Sequence, residues 1–193
     1  MISISNLKSQ RNWGGVYLEL WSKQEKKSAI IHSTINDPGL LRYSVDGKMP
    51  IVWWGDIKEL KNGDLITGIT GAYYQNKEGY VLKAPVSFYK SSDGGHNWDI
   101  YSKIPFQENG QNYESFVFDG SEGFEESSFE ILKDSVFFCV MRTGYTSPMY
   151  RTFSYDKGKS WSVPEPFTPN GVLPSLLSLD NGVLVLTSGR PGI

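Results

Sequence analysis

The chain has 193 residues, 39% hydrophobic and 14% aromatic, which is enough to bury one sizeable core and too apolar for a disordered segment. Its 19 basic and 21 acidic side chains leave a formal charge of −2 and form no basic stripe, so nucleic-acid binding has no support. The 20 Gly and 10 Pro, set among many Tyr, Trp and Phe, fit an all-β chain rich in turns, with no long helix.

Met1 to Lys8 carry no apolar signal-peptide core or cleavage site, and no later run is long enough to span a bilayer, so a soluble chain without a membrane span is expected. Residues 1–50 are the least legible stretch. Val16–Trp21 and Leu40–Tyr43 read as strands of a poorly defined first unit, and Ser44-Val45-Asp46-Gly47-Lys48 reads as an ordinary turn. Over 51–105, Asp56 to Ile66 reads as a hairpin around Asn62-Gly63, followed by a polar insertion, Gly71–Tyr80. That unit closes on Ser91-Ser92-Asp93-Gly94-Gly95-His96-Asn97-Trp98.

Residues 106–168 repeat the plan. An inserted loop, Gln107–Glu122, precedes a hairpin across Asp134-Ser135. Its returning strand carries Cys139 in the run Val136-Phe137-Phe138-Cys139-Val140-Met141, where a lone cysteine reads as a buried small hydrophobe rather than a nucleophile. Ser154-Tyr155-Asp156-Lys157-Gly158-Lys159-Ser160-Trp161 then repeats the pattern Ser-x-Asp-x-Gly-x-x-Trp, the Asp-box. The physics of the motif is structural: Ser and Asp bond turn amides, Gly takes positive φ, and Trp packs beneath. Over 169–193 a third hairpin turns at Asn181-Gly182 and ends without an outer pair of strands.

Leu60, Leu132 and Leu179 precede the three hairpin turns, 72 and 47 residues apart, a blade-sized but irregular period. Two hairpins per unit make four antiparallel strands, the blade of a β-propeller. The expectation is an incomplete propeller: a poorly defined blade over 1–50, blades over 51–105 and 106–168, and a half blade over 169–193. Such an open set is read as part of a longer protein or a truncated product, and its free edges favour self-association.

Blade geometry puts both turn types on one face and gathers the strand ends on the other. Trp53-Trp54-Gly55-Asp56, Glu125-Glu126-Ser127-Ser128 and Pro174-Ser175 enter that rim, while Tyr73-Tyr74, Arg142 and Arg190 leave it. Arg142 and Arg190 suit a carboxylate, which a guanidinium meets bidentately. Glu126 and Asp56 supply acids from neighbouring blades, as glycoside hydrolysis requires. Glu125 competes with Glu126 for the inward position, because neighbours on a strand face opposite ways. His32 and His96 lack partners at metal-ligand spacing, and Lys157-Gly158-Lys159-Ser160 lacks the first Gly of a phosphate loop, where Phe153 stands, so no metal or nucleotide cofactor is expected.

The two boxes, the run from Glu126 to Thr143 and the run from Leu173 to Gly192 resemble the bacterial sialidase (neuraminidase) superfamily with BNR/Asp-box repeats, over roughly residues 50 to 193. The resemblance implies a six-bladed propeller and release of terminal sialic acid, an acidic-sugar substrate, by an arginine triad, a Tyr/Glu nucleophile pair and an Asp acid/base. By resemblance, Glu126 matches the Glu that assists the Tyr, Arg142 a triad arginine, and Arg190 a Gly-Arg-Pro-Gly pattern. The family's Arg-Ile-Pro motif is absent near Trp53-Trp54-Gly55, and its late nucleophilic Tyr has no counterpart, so these residues alone are expected to be inactive. The alternative is a non-catalytic glycan-binding module that stacks sugar rings on Trp53, Trp54, Tyr73 and Tyr74; third is a structural fragment.

Overall fold

A computed structural model describes residues 13–22, 25–37, 51–52, 56–71, 83–108, 111–112, 121–144, 147–168 and 170–189. The described residues are all-β apart from a single 3-10 turn, Lys133–Ser135. The first sheet has seven strands: β1 (Trp13–Ser22), β2 (Lys27–Asn36), β3 (Ile51–Val52), β4 (Ile57–Glu59), β5 (Leu65–Gly71), β6 (Val86–Ser91) and β7 (Asn97–Ile104). A small hairpin, β8 (Gln107–Glu108) and β9 (Gln111–Asn112), follows. The second sheet is β10 (Ser121–Ile131), β11 (Phe137–Gly144), β12 (Met149–Ser154) and β13 (Glu165–Thr168), antiparallel throughout and in sequential order. A final pair, β14 (Val172–Ser178) and β15 (Leu184–Gly189), makes the third sheet. Strand β10 lies against β5 on one side and β14 on the other, so the inner hairpins of successive units are neighbours. This is an open, partial propeller-like arrangement.

The apolar run in β11 explains how the sheets stack. Its alternate residues serve two cores, as a strand covered on both faces should. Phe137, Cys139 and Met141 join Ile66, Val86, Phe88, Ile104 and Phe129 between the first and second sheets. Phe138 and Val140 join Met149 and Leu176 between the second and third. Cys139 is fully buried, and burial pushes its thiol pKa upward, in line with the inert role read from its apolar neighbours.

Two expectations change. The N-terminal hairpin β1–β2 does not build a sheet of its own: β2 pairs in parallel with β7, Thr34 to Asn36 alongside Asn97 to Asp99, and extends the outer edge of the first sheet. Alternation alone cannot announce such a pairing, because its partner lies some sixty residues away. Leu40–Tyr43 and the turn at 44–48 lie outside the described residues.

The three inner hairpins are also not two-residue turns. Leu60, Leu132 and Leu179 each donate their amide to the carbonyl four residues on, at 2.8, 2.7 and 2.8 Å, leaving three residues in each loop. The third takes positive φ in every case: Gly63 (85°), Ser135 (63°) and Gly182 (84°). This is the type I turn with a bulge, which demands one left-handed residue rather than the two of an Asn-Gly type I′ turn.

Candidate functional site

The rim opposite the turns is built on a break in β10. Glu125 pairs with Arg142 and Ser128 with Val140, so three steps along β10 match two along β11. The extra residue is a β-bulge, and Glu126 within it has φ 43°, a left-handed conformation that glutamate seldom adopts unaided. The bulge cancels the strict alternation expected of neighbours. Both side chains reach one guanidinium: Arg142 Nη1 donates to Glu125 Oε2 at 3.1 Å and to Glu126 Oε1 at 3.0 Å, while of the two only Glu126 is among the residues that line the cleft.

The same device recurs one sheet on. In β14, Val172 pairs with Gly189 and Ser175 with Thr187, again three steps against two, and Leu173 has φ 49°. The Leu173 amide so released donates to Glu126 Oε2 at 2.7 Å. Glu126 is thus gripped from both sides, by the guanidinium of its own sheet and by the backbone of the next. Counting from the turns, Asp56, Ser128 and Ser175 hold one register position in successive units, and Arg142 corresponds to Gly189 rather than to Arg190.

These register partners meet. Ser128 Oγ donates to Asp56 Oδ2 at 3.1 Å and accepts the Leu176 amide at 2.9 Å, a chain that crosses all three sheets. Ser127 Oγ lies 3.4 Å from Thr70 Oγ1. Lys58 is ion-paired with Glu130 and stands 3.8 Å from Asp56 Oδ2. Between the bulges opens a cleft of about 240 Å3, lined by Asp56, Glu126, Ser127 and Ser128 on one side and Leu173, Pro174 and Ser175 on the other.

The structure therefore brings Asp56 and Glu126 to one cleft, with Arg142 behind Glu126 and not among the lining residues. Arg190, Trp54 and Tyr73, with Trp53 and Tyr74, lie outside the described residues. Sequence reading placed Ser127, Ser128 and Ser175 on the rim without a role and missed the Leu173 amide; the common spacing of Asp56, Ser128 and Ser175 from their turns was the available signal for a shared position. Among the described residues no group of three His, Cys, Asp or Glu side chains is placed to hold a metal ion, and no helix is long and apolar enough to cross a membrane.

The Asp-boxes lie at the opposite end. Asp93 takes the Asn97 amide at 2.9 Å and its side-chain amide at 2.7 Å, and Asp156 takes Ser160 in the same two ways, at 2.9 and 2.6 Å. Hydrogen bonds, first those from the Asn97 and Ser160 side chains, lower both carboxyls to about 2. Both carboxylates are committed to their own turns.

No protein-family model matches the sequence, nor does any curated protein. Among solved structures, the chain is similar to a protein of unknown function from Dyadobacter fermentans, with TM-score 0.61 and 16% identity over 92% of this chain and 53% of that one. It is also similar to a glycoside hydrolase family 43 arabinoxylan arabinofuranohydrolase from Bacillus subtilis, solved with cellotetraose, with TM-score 0.52 and 18% identity over 71% of this chain and 33% of that one. A microbial sialidase, Hz136, aligns over 94% of this chain and 37% of its own at TM-score 0.45 and 13% identity. The chain thus spans about half or less of the length of these structures. At 16–18% identity the likeness is one of fold alone and is not specific to Asp-box sialidases.

Proposed function

We propose that the cleft between the two bulges is the sugar site of a propeller-type glycoside hydrolase. One observation carries the reading: Asp56 and Glu126, on different sheets and 70 residues apart in the chain, line the same cleft. Two carboxyl groups flanking one bound ring are the minimal equipment for glycosidic cleavage, one giving a proton to the leaving oxygen and the other acting as base, nucleophile or helper of a nucleophile. Glu126, fixed by Arg142 and the Leu173 amide, takes the second role; Asp56, more exposed and bonded by Ser128, is the candidate acid.

The finer reading from the sequence resemblance is an exo-α-sialidase on a six-bladed ring, with Arg142 and Arg190 clamping the sugar carboxylate. It requires that carboxylate to reach Arg142, whose Nη1 already serves Glu125 and Glu126 and whose buried Nε has no hydrogen-bond partner. A non-catalytic glycan-binding module shares the same cleft. Assays with nitrophenyl and fluorogenic glycosides, sialosides included, distinguish the three. Turnover abolished by both Glu126→Gln and Asp56→Asn supports the hydrolase, and turnover indifferent to both overturns it. Saturable glycan binding without turnover assigns the module, and turnover of sialosides alone, lost in Arg142→Ala, assigns the sialidase.

A further inference from the structure

We infer that the cleft selects an uncharged sugar ring and discriminates against acidic ones; this rests on the sugar-site reading above and adds the substrate class. The first ground is charge. The lining side chains comprise two carboxylates, three hydroxyls and two apolar residues, and no lysine or arginine among the described residues faces the cleft. The two nearest cations already serve carboxylates. Arg142 shares one nitrogen between Glu125 and Glu126, and Lys58 is shared between Glu130 and Asp56. A ligand carboxylate entering beside Glu126 and Asp56 meets acidic lining side chains and no lining cation among the described residues, and is repelled.

The second ground is the match of donors to acceptors. Carboxylates only accept hydrogen bonds, so they want hydroxyl donors, which a neutral sugar supplies around its ring and a ligand carboxylate does not. Glu126 already receives one bond at each oxygen, and Asp56 receives one from Ser128 at Oδ2. The lone pairs that remain, with the exposed hydroxyl of Ser175, present a mainly accepting surface. Leu173, 49% exposed on its bulge beside Pro174, adds an apolar patch for the C–H face of a ring. At about 240 Å3 the cleft lies below the roughly 300–1,000 Å3 of sites for larger ligands and suits a single ring.

Matched pairs that differ only at C6 test this: methyl glucoside with methyl glucuronide, and methyl galactoside with methyl galacturonide, with methyl xyloside and methyl sialoside added, titrated calorimetrically into the full chain at low and high salt. At least one neutral sugar is expected to bind roughly tenfold more tightly than its acidic twin at low salt, with the gap narrowing as salt rises. Asp56→Asn and Glu126→Gln, each removing one charge, should narrow it about threefold or more; Asp56 is the more exposed of the two, so its variant guards against misfolding of the other. Tighter binding of an acidic twin or of the sialoside overturns the inference while leaving the sugar site standing. A gap unchanged in both variants also overturns it. Absence of binding by every sugar overturns the sugar site itself, and the inference with it.

Discussion

The two ends of the sheets spend their carboxylates differently. At the box end, Asp93 and Asp156 are satisfied by groups no more than four residues away, and each turn is complete within itself. At the bulge end, Glu126 is held by residues 16 and 47 positions distant and Asp56 by one 72 away, across sheet boundaries. A turn that closes on itself can be copied without regard to its surroundings, which is why the box motif reports architecture. An end whose polar groups need other sheets is where ligand chemistry can be assembled.

The boxes themselves differ in what lies beneath them. Trp98 is fully buried, bonds Gly95 O at 3.0 Å, and pairs with Ile35 of β2, whose Ser33 also bonds that carbonyl. Trp161 instead reaches into the neighbouring sheet, stacked on Phe88 at 4.5 Å and bonded to Ser102 Oγ at 3.1 Å. The largest expected loss is therefore Trp98→Ala, about 4 kcal/mol by urea denaturation, because a fully enclosed indole leaves a cavity. A loss below about 1 kcal/mol would mean that this indole is not enclosed.

At the other end, Arg142→Ala leaves Glu125 and Glu126 side by side without their cation, and should cost about 3 kcal/mol. Adding Glu125→Gln to that variant should recover part of the loss, a coupling that a double-mutant cycle reads directly. Leu173→Gly goes the other way: it keeps the amide that binds Glu126, relieves a left-handed φ of 49°, and gives up a half-exposed side chain. A gain of up to about 1 kcal/mol in unfolding free energy is expected. Destabilisation instead would show that the Leu173 side chain, not its backbone, holds the bulge.

The smallest effect belongs to pH. Asp93 and Asp156 have folded pKa values lowered to about 2, against roughly 3.9 for an unfolded aspartate. Their contribution to stability is therefore present above about pH 4 and is lost as pH falls through about 2. Solvent exposure keeps it modest. Replacing both with Asn should flatten the stability profile over that acid window, while leaving the profile at neutral pH parallel to the parent's.

The same contrast decides what was legible in the sequence. The boxes, the three inner hairpins and the double-faced strand around Cys139 are written in contiguous residues, and each is found in place. The bulge was not legible, since nothing in Glu125-Glu126-Ser127-Ser128 says that one residue will turn left-handed and let both glutamates share Arg142. Asp56 and Glu126 were chosen as rim acids by counting from turns, but their link through Ser128 depends on which sheets become neighbours. The parallel docking of β2 on β7 is non-local in the same way.

Backbone amide NMR of the full chain, titrated with the methyl glycosides named above, tests the division of labour most directly. Shift changes confined to residues 126–128 and 173–176, with 91–98 and 154–161 unmoved, are the predicted result. Changes concentrated at the boxes, with the bulge residues unmoved, would contradict it.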